Sequence, residues 1–315
     1  MKKRVISLIV FVFLLLSLLT NLIISQELLN PSPNFSIKII HPENNNIFNK
    51  RQVFISLESN IVLEEISFIA ENGKIHSERT LCKNCNVFYG SRTFDEGEQF
   101  LRIIGRERLD SIEYNISFFI DSTKPKLAIT QPRSRSYFNG SNFMVQVIEK
   151  NPKSLFVYYG DSFDLLRSYE VNLSSQCILE ENKNFCNFDI DLSEFNERKI
   201  YYKMILTDIA DNIFESRPTE IFVDTLPPKI NNPNSFFTMD RNYMHFQIDV
   251  DENNLKSISY MDSLEDNPKH KLLCSTLKNY LCDKKVSTRL INHNITLRVL
   301  DKAGNFAEAK LSHAI

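Results

Sequence analysis

The sequence predicts an all-β chain of three tandem β-sandwich domains that follows an N-terminal hydrophobic helix. Three observations support this fold class. A segment near residue 120 repeats near residue 223, short alternating runs recur at regular spacing, and the six cysteines divide two to each predicted domain. A chain of 315 residues, 43% of them hydrophobic, exceeds the usual size of one domain and has enough apolar side chains for several cores.

The domain boundaries follow from the repeated segment. The sequences IDSTKPK at residues 120–126 and VDTLPPK at residues 223–229 lie 103 residues apart (223 minus 120). Proline removes a ladder donor and favours extended geometry, so each segment predicts a last strand that runs into a short, stiff linker. The predicted parts of the chain are residues 1–26, a signal peptide or anchor, and three domains at residues 34–122, 123–225 and 226–315.

Alternation of apolar and polar residues predicts strands with one buried face. In the third domain, four apolar residues alternate with His245, Gln247 and Asp249, which is the two-residue period of a strand. Matching runs stand at the corresponding place in the other two domains. The residues predicted to be buried are Met244, Phe246, Ile248 and Val250, then Val145 and Val147, then Val53, Ile55 and Leu57. Short strands at this spacing predict a sandwich of about seven strands per domain.

Two short motifs carry a family resemblance. The sequences TDIADN at residues 207–212 and LDKAGN at residues 300–305 resemble the Asp-x-Ala-Gly-Asn turn between the last two strands of bacterial and archaeal immunoglobulin-like (Ig-like) repeats. The sequence VDTLPP resembles the terminal motif of the same repeats. The second domain has Asp211 where glycine is usual, and the first has residues 105–108 (GRER) in place of the turn.

The resemblance implies three tandem Ig-like β-sandwich domains in a surface protein. Repeats of this family are chiefly spacers, adhesive modules or parts of larger surface assemblies, and no catalytic residues come with them. We therefore expect a non-catalytic spacer or adhesion module with a protein or glycan partner. Such a partner would bind at strand edges or end loops, where side chains are free of core packing.

A hydrophobic segment at the N-terminus predicts export. Three basic residues at positions 2–4 precede an apolar stretch of residues 5–24, and polar sequence begins at Gln26. A charged start followed by an apolar run is typical of a signal peptide. A stretch of about 20 residues is also long enough to span a bilayer, which favours a retained membrane anchor over cleavage and secretion. With the basic residues inside, the rest of the chain is expected at the cell surface.

The cysteines predict one local disulfide in each domain. An exported chain meets oxidising conditions, and pairing within a domain is the simplest arrangement for domains that are separate in space. The predicted bridges are Cys82–Cys85, Cys177–Cys186 and Cys274–Cys282. The alternative hypothesis is an exported redox or metal-binding protein that uses Cys82 and Cys85, because the sequence CKNC suits a redox dithiol or half of a zinc site.

Other chemistry is not indicated by the sequence. The seven glycines form no Gly-x-Gly and no phosphate-binding loop, and the six histidines are scattered, each expected at the surface or on an edge strand. The net charge is −2, and no basic block follows the N-terminus to neutralise a row of phosphates. We therefore expect neither enzymatic activity nor a nucleic-acid partner.

Calcium is the one metal for which the sequence offers candidate ligands. Asp249 and Asp251 belong to an acidic run, and Asp224 and Asp121 stand where sandwich arrays of this kind often bind Ca²⁺ between domains, as do Asp208 and Asp301. The run is not an EF-hand, because Asn254 occupies the position that requires glycine. Solvated acidic turns are the alternative interpretation. No other cofactor is expected.

Overall fold

The computed structural model of the protein describes residues 34–70, 77–162, 166–180 and 183–313, whose regular secondary structure is almost entirely β-strand. The predicted N-terminal helix lies outside these residues. Within them, no helix combines the length and apolar character that a membrane span requires. The chain divides into two compact units between Ser122 and Thr123. The three-domain limits stay predictions, and we call residues 34–122, 123–225 and 226–313 the first, second and third sandwich.

The first sandwich contains one folded six-stranded sheet. Its strands run in the order β1-β3-β5-β6-β2, and β4 pairs with β3. The short β2 pairs in parallel with the last strand, β6. The strands are β1 (Ile37–His41), β2 (Asn46–Phe48), β3 (Gln52–Ala70), β4 (Glu78–Thr93), β5 (Gly97–Glu107) and β6 (Asp110–Ile120).

The long strands β3 and β4 belong to both layers of the first sandwich. The first part of β3 pairs with β1, whereas residues 65–70 pair with β5. Between these parts the register with β4 shifts, so that Glu58 lies opposite Val87 and Leu63 opposite Cys85. Buried residues from both parts belong to one core cluster. The sheet therefore closes over a single core by bending β3 and β4.

The second sandwich consists of two sheets around a separate core. One sheet has the order β12-β13-β9-β7, and the other has the order β11-β10-β14-β16-β8 with β15 on β14. The strands are β7 (Lys126–Gln131), β8 (Tyr137–Phe138), β9 (Phe143–Ile148), β10 (Pro152–Gly160), β11 (Arg167–Val171), β12 (Cys177–Glu180), β13 (Lys183–Phe188), β14 (Lys199–Asp208), β15 (Ile213–Glu215) and β16 (Thr219–Val223). Helix α1 (Leu173–Gln176) starts at Asn172, whose side chain accepts from the amides of Ser174 and Ser175.

The third sandwich also has two sheets and its own core. One sheet has the order β17-β19-β18 with β22 on β19, and the other has the order β21-β20-β23-β24. The strands are β17 (Lys229–Ile230), β18 (Phe237–Asp240), β19 (Tyr243–Asp251), β20 (Leu255–Asp262), β21 (Lys271–Cys274), β22 (Leu281–Ser287), β23 (His293–Asp301) and β24 (Phe306–His313).

The alternating runs occupy the predicted positions in the core. In β19, the four apolar residues from Met244 to Val250 are buried, and the residues between them are more exposed. The predicted apolar residues of β3 and β9 are likewise buried. A two-residue period thus identified the core-facing side of one strand in each sandwich.

In the first sandwich, the segment GRER at residues 105–108 runs from β5 into the hairpin turn. Gly105 lies within β5, and the hairpin turn to β6 consists of Arg108 and Leu109. A Cβ atom at Gly105 would lie 2.5 Å from Cδ1 of Ile37. Glycine at this position therefore serves close packing against β1, and the turn is formed by Arg108 at a φ of 55°.

Candidate functional site at the junction of the second and third sandwiches

The turn between β23 and β24 is organised by one buried carboxylate. Oδ1 of Asp301 accepts a hydrogen bond from the Asn305 amide at 2.8 Å, and Oδ2 accepts from the Asn305 side chain at 2.8 Å. Gly304 supplies the left-handed residue of the turn at a φ of 96°. The motif LDKAGN therefore fixes the position of Asn305.

The turn after β14 has the same internal arrangement. Asp208 accepts hydrogen bonds from the amides of Ala210 and Asn212 at 2.9 and 2.8 Å, and from the Asn212 side chain at 2.8 Å. Asp211 takes the place of Gly304 at a φ of 61°. Aspartate is among the few residues that tolerate this conformation, so the departure from glycine leaves the turn intact.

Asn305 connects the third sandwich to the linker that precedes it. Its side-chain nitrogen donates to the carbonyl oxygens of Asp224 and Leu226 at 2.8 and 3.2 Å. Its side-chain oxygen accepts from Asn139 of the second sandwich at 3.0 Å. Asn254 then donates to Oδ2 of Asp224 at 3.0 Å. We call Asn139, Asp224, Asn254 and Asn305 the asparagine junction.

The carboxylates at this junction repel one another. Burial raises the pKa of Glu252, and the charges of Asp224 and Asp301 raise it further, against a hydrogen bond from the Asn254 amide. Burial also raises the pKa of Asp301, with Asp224 adding to the increase, against hydrogen bonds from Asn305. Ionisation of these groups is therefore less favourable in the folded protein than in an exposed side chain.

Of the candidate calcium ligands, the structure brings Asp224 and Asp301 to one junction, where Asn305 contacts both, and leaves the others apart. Asp249 and Asp251 are exposed on β19, and Asp249 accepts from the Asn231 side chain at 3.0 Å. Asp224 is buried in the asparagine junction, and Asp121 is buried at the end of the first sandwich. Among the described residues, no group of three or more His, Cys, Asp or Glu side chains is arranged to hold a metal ion. Calcium binding stays a prediction.

Two of the acidic turns differ from the solvated turns that the sequence suggested. Asp208 and Asp301 are both fully buried. Their oxygens accept hydrogen bonds from their own turns, as described above, so these carboxylates have a structural use. The pattern Asp-x-Ala-x-Asn contains this signal, because the aspartate lies four residues before the asparagine that it binds.

A buried histidine was missed by the sequence analysis. His293 was expected at the surface or on an edge strand, but it is buried, with Nδ1 2.6 Å from Oδ2 of Asp262 and Nε2 3.1 Å from the Leu290 carbonyl oxygen. Both neighbours are acceptors, so each ring nitrogen lies in a position to donate a hydrogen bond. The expectation was wrong because the partner carboxylate lies 31 residues away in sequence.

Hydrogen bonds stabilise the ionised form of Asp262. Burial raises its pKa, but hydrogen bonds from His293 and from the amides of Asn294 and Leu264 outweigh this effect and lower it overall. The Asp262 and His293 side chains are both 0% exposed. No substrate would reach them, so this pair has the geometry of a structural ion pair and not of a catalytic one.

The six cysteines form the three bridges expected from the sequence, in three different settings. Cys82–Cys85 lies within β4, Cys177–Cys186 joins the paired strands β12 and β13, and Cys274–Cys282 joins β21 of one sheet to β22 of the other. Among the described residues no cysteine is free. Cys82 and Cys85 therefore offer no thiolate to a metal in this state.

The sequence matches no family model and no curated protein. Solved structures similar to the chain include fibronectin-type modules in tandem. The fibronectin(III)-like modules of Clostridium thermocellum CbhA are 16% identical, with 60% of this chain and 94% of theirs covered and a TM-score of 0.30. The FN1-FN3 domains of chicken CNTN1 are 9% identical, with 88% and 96% covered and a TM-score of 0.35.

A third similar structure also consists of several domains in tandem. Extracellular domains 3-5 of Drosophila OTK are 11% identical, with 90% of this chain and 99% of that one covered and a TM-score of 0.29. All three TM-scores are below 0.5, so we draw no inference from these likenesses. The assignment of the fold rests on the sheets and cores described above.

Proposed function

We propose that the chain is a non-catalytic, exported surface protein whose sandwiches act as a spacer and a binding module, either tethered to a membrane or secreted. The observation that carries this proposal is the asparagine junction. It joins the second and third sandwiches through side-chain hydrogen bonds and buries Asp224 between them. A linker held in this way gives a rigid pair of sandwiches, which is what a spacer requires.

The disulfides support export. Such bridges form and persist in oxidising compartments and are rare in the cytosol. Each bridge connects two cysteines of the same sandwich, so no bridge depends on the order in which the three sandwiches assemble. The proposed tether is the apolar stretch at residues 5–24, whose basic start favours an orientation with the sandwiches outside.

Protease treatment of intact cells tests the exported location. With an epitope tag after Ile315, external protease should remove the tag from a surface protein while a cytosolic marker stays intact. Carbonate extraction then separates the two forms. A tethered chain remains in the membrane pellet with its first 25 residues present in the intact mass, and a secreted chain is soluble and begins near Gln26. A tag protected in intact cells and absent from the medium would contradict export.

A further inference from the structure

We infer that a cleft beside the asparagine junction binds an acidic carbohydrate, such as an oligosaccharide of uronic acid or sulfated sugar units. The cleft has a volume of about 420 Å³, within the range of ligand pockets, and residues of both the second and the third sandwich line it. The inference deepens the proposed role as a binding module by giving its partner a chemical class.

The charge of the lining is the first argument. Arg133, Lys256 and Lys302 line the cleft, and no acidic residue does. None of the three forms an ion pair with a described residue, whereas seven other arginines of the described chain do so. Three exposed cations that line one cleft without counter-ions favour an anionic ligand, because each attracts it.

The nearby carboxylates are not part of the cleft lining. Asp224 and Asp301 are buried and accept hydrogen bonds from the asparagine junction and its turn. Glu252 is also outside the lining. The charged side chains that line the cleft are therefore all basic.

The neutral groups of the lining favour a sugar over a bare anion. Asn142 and Ser141 contribute an amide and a hydroxyl to the lining. The Tyr137 ring is already in contact with Lys302, 5.3 Å from its centroid, and with the Phe222 ring at 5.5 Å, so it serves to position Lys302. Hydroxyl groups of a sugar need donors and acceptors such as the amide and the hydroxyl. A small inorganic ion would use the cations alone.

Two other large clefts lack this property. In the second sandwich, a cleft of about 550 Å³ is lined by both Lys153 and Glu170, and Lys153 forms an ion pair with Asp211 at 2.7 Å. In the first sandwich, a cleft of about 580 Å³ is lined by Phe100, Arg102 and Glu113 among other residues. Arg102 and Glu113 lie 3.4 Å apart and form an ion pair. The charges of that cleft are therefore compensated within the protein.

Calorimetric titration of the full-length chain in a mild detergent tests the inference. The probes are a tetragalacturonate, a heparin-derived tetrasaccharide, a neutral tetrasaccharide, inorganic sulfate and a tetraglutamate peptide. We expect at least one acidic tetrasaccharide to bind, with affinity that falls as salt is raised. The neutral sugar, sulfate and peptide should bind at least tenfold more weakly.

Variants locate the binding. Lys256→Gln and Arg133→Gln should each weaken binding about tenfold, the loss of one charged hydrogen bond. Lys310→Gln is the matched control, since Lys310 is exposed on β24 and outside the cleft. Equal loss in the control, no binding of either acidic sugar, or tighter binding of the peptide would overturn the inference. Each of these outcomes leaves the exported spacer standing, because protease treatment of cells tests that separately.

Discussion

The first and third sandwiches hold their two layers together in different ways. In the first, β3 and β4 run through both layers and pair with each other on both sides of the bend, where residues 59–62 of β3 have no partner in β4. In the third, the layers are separate sheets joined covalently by Cys274–Cys282. The connection from β22 to β23 also crosses between the sheets. Leu290 belongs to this connection, and its carbonyl oxygen lies within hydrogen-bond distance of the His293 ring.

This difference shows where each sandwich depends on side chains. Because paired strands connect the two layers of the first sandwich, its local disulfide should add little to the stability of that sandwich. The third sandwich depends on its core, on a disulfide between sheets and on a buried ion pair. Substitutions at these side chains should therefore affect the third sandwich much more than the corresponding substitutions affect the first.

The largest effect is expected from His293→Ala. Removal of one partner from a buried ion pair leaves an uncompensated charge on Asp262 and should lower the stability of the third sandwich by about 3–5 kcal/mol. Hydrogen exchange of the β20 and β23 amides, followed by mass spectrometry, measures this loss. His270→Ala is the control, because His270 is exposed and should change stability by less than about 0.5 kcal/mol. Similar exchange in both variants would show that the pair does not stabilise the fold.

The next effect is expected from the double variant C274A/C282A. Chain entropy gives about 2.5 kcal/mol for a loop of this length, and both cysteines are buried in the core. Exchange should accelerate in β19, β20, β22 and β23 together, because the bridge joins the two sheets. Faster exchange confined to β21 and β22 would mean that the sheets are held together without it.

A smaller effect is expected from C82A/C85A in the first sandwich. The entropy model gives about 2 kcal/mol for so short a loop, and the pairing of β3 with β4 persists without the bridge.

The order of reduction follows from exposure. Cys82 and Cys85 are partly exposed, whereas Cys274 and Cys282 are buried, so the first bridge should react sooner with a reducing agent. Peptide mapping after timed alkylation gives the order. Earlier loss of Cys274–Cys282 would contradict this account of the third sandwich.

The smallest effect is expected from Glu252→Gln. Because its pKa is raised, ionised Glu252 destabilises the folded protein, and the neutral amide should stabilise the third sandwich at pH 7 by under about 1 kcal/mol. The wild type gains stability as pH falls through the raised pKa, so the difference should vanish near the ordinary carboxyl pKa. Thermal unfolding of both proteins between pH 4 and 7 measures it. If the difference in stability between the two proteins grew on acidification, ionised Glu252 would not be destabilising and this explanation would be wrong.

The sequence predicted those features that depend on neighbouring residues. The alternation in β19 gave its buried face, and the motif LDKAGN gave the turn that positions Asn305. Contacts between distant segments could not be predicted from the sequence. The Asp262–His293 pair and the reach of Asn305 to the Asp224 carbonyl depend on how sheets and linker come together, which no local pattern encodes. The bend of β3 was missed because its two parts read as separate strands.

Residual dipolar couplings of backbone amides test most directly whether the second and third sandwiches form a rigid pair. The wild-type couplings of both sandwiches should fit one alignment tensor of a single magnitude. Asn254→Ala, which removes the hydrogen bond to Asp224 without touching the turn, should make the two magnitudes differ, whereas Asn187→Ala on an exposed position of β13 should not. Different magnitudes in the wild-type protein would contradict a rigid spacer.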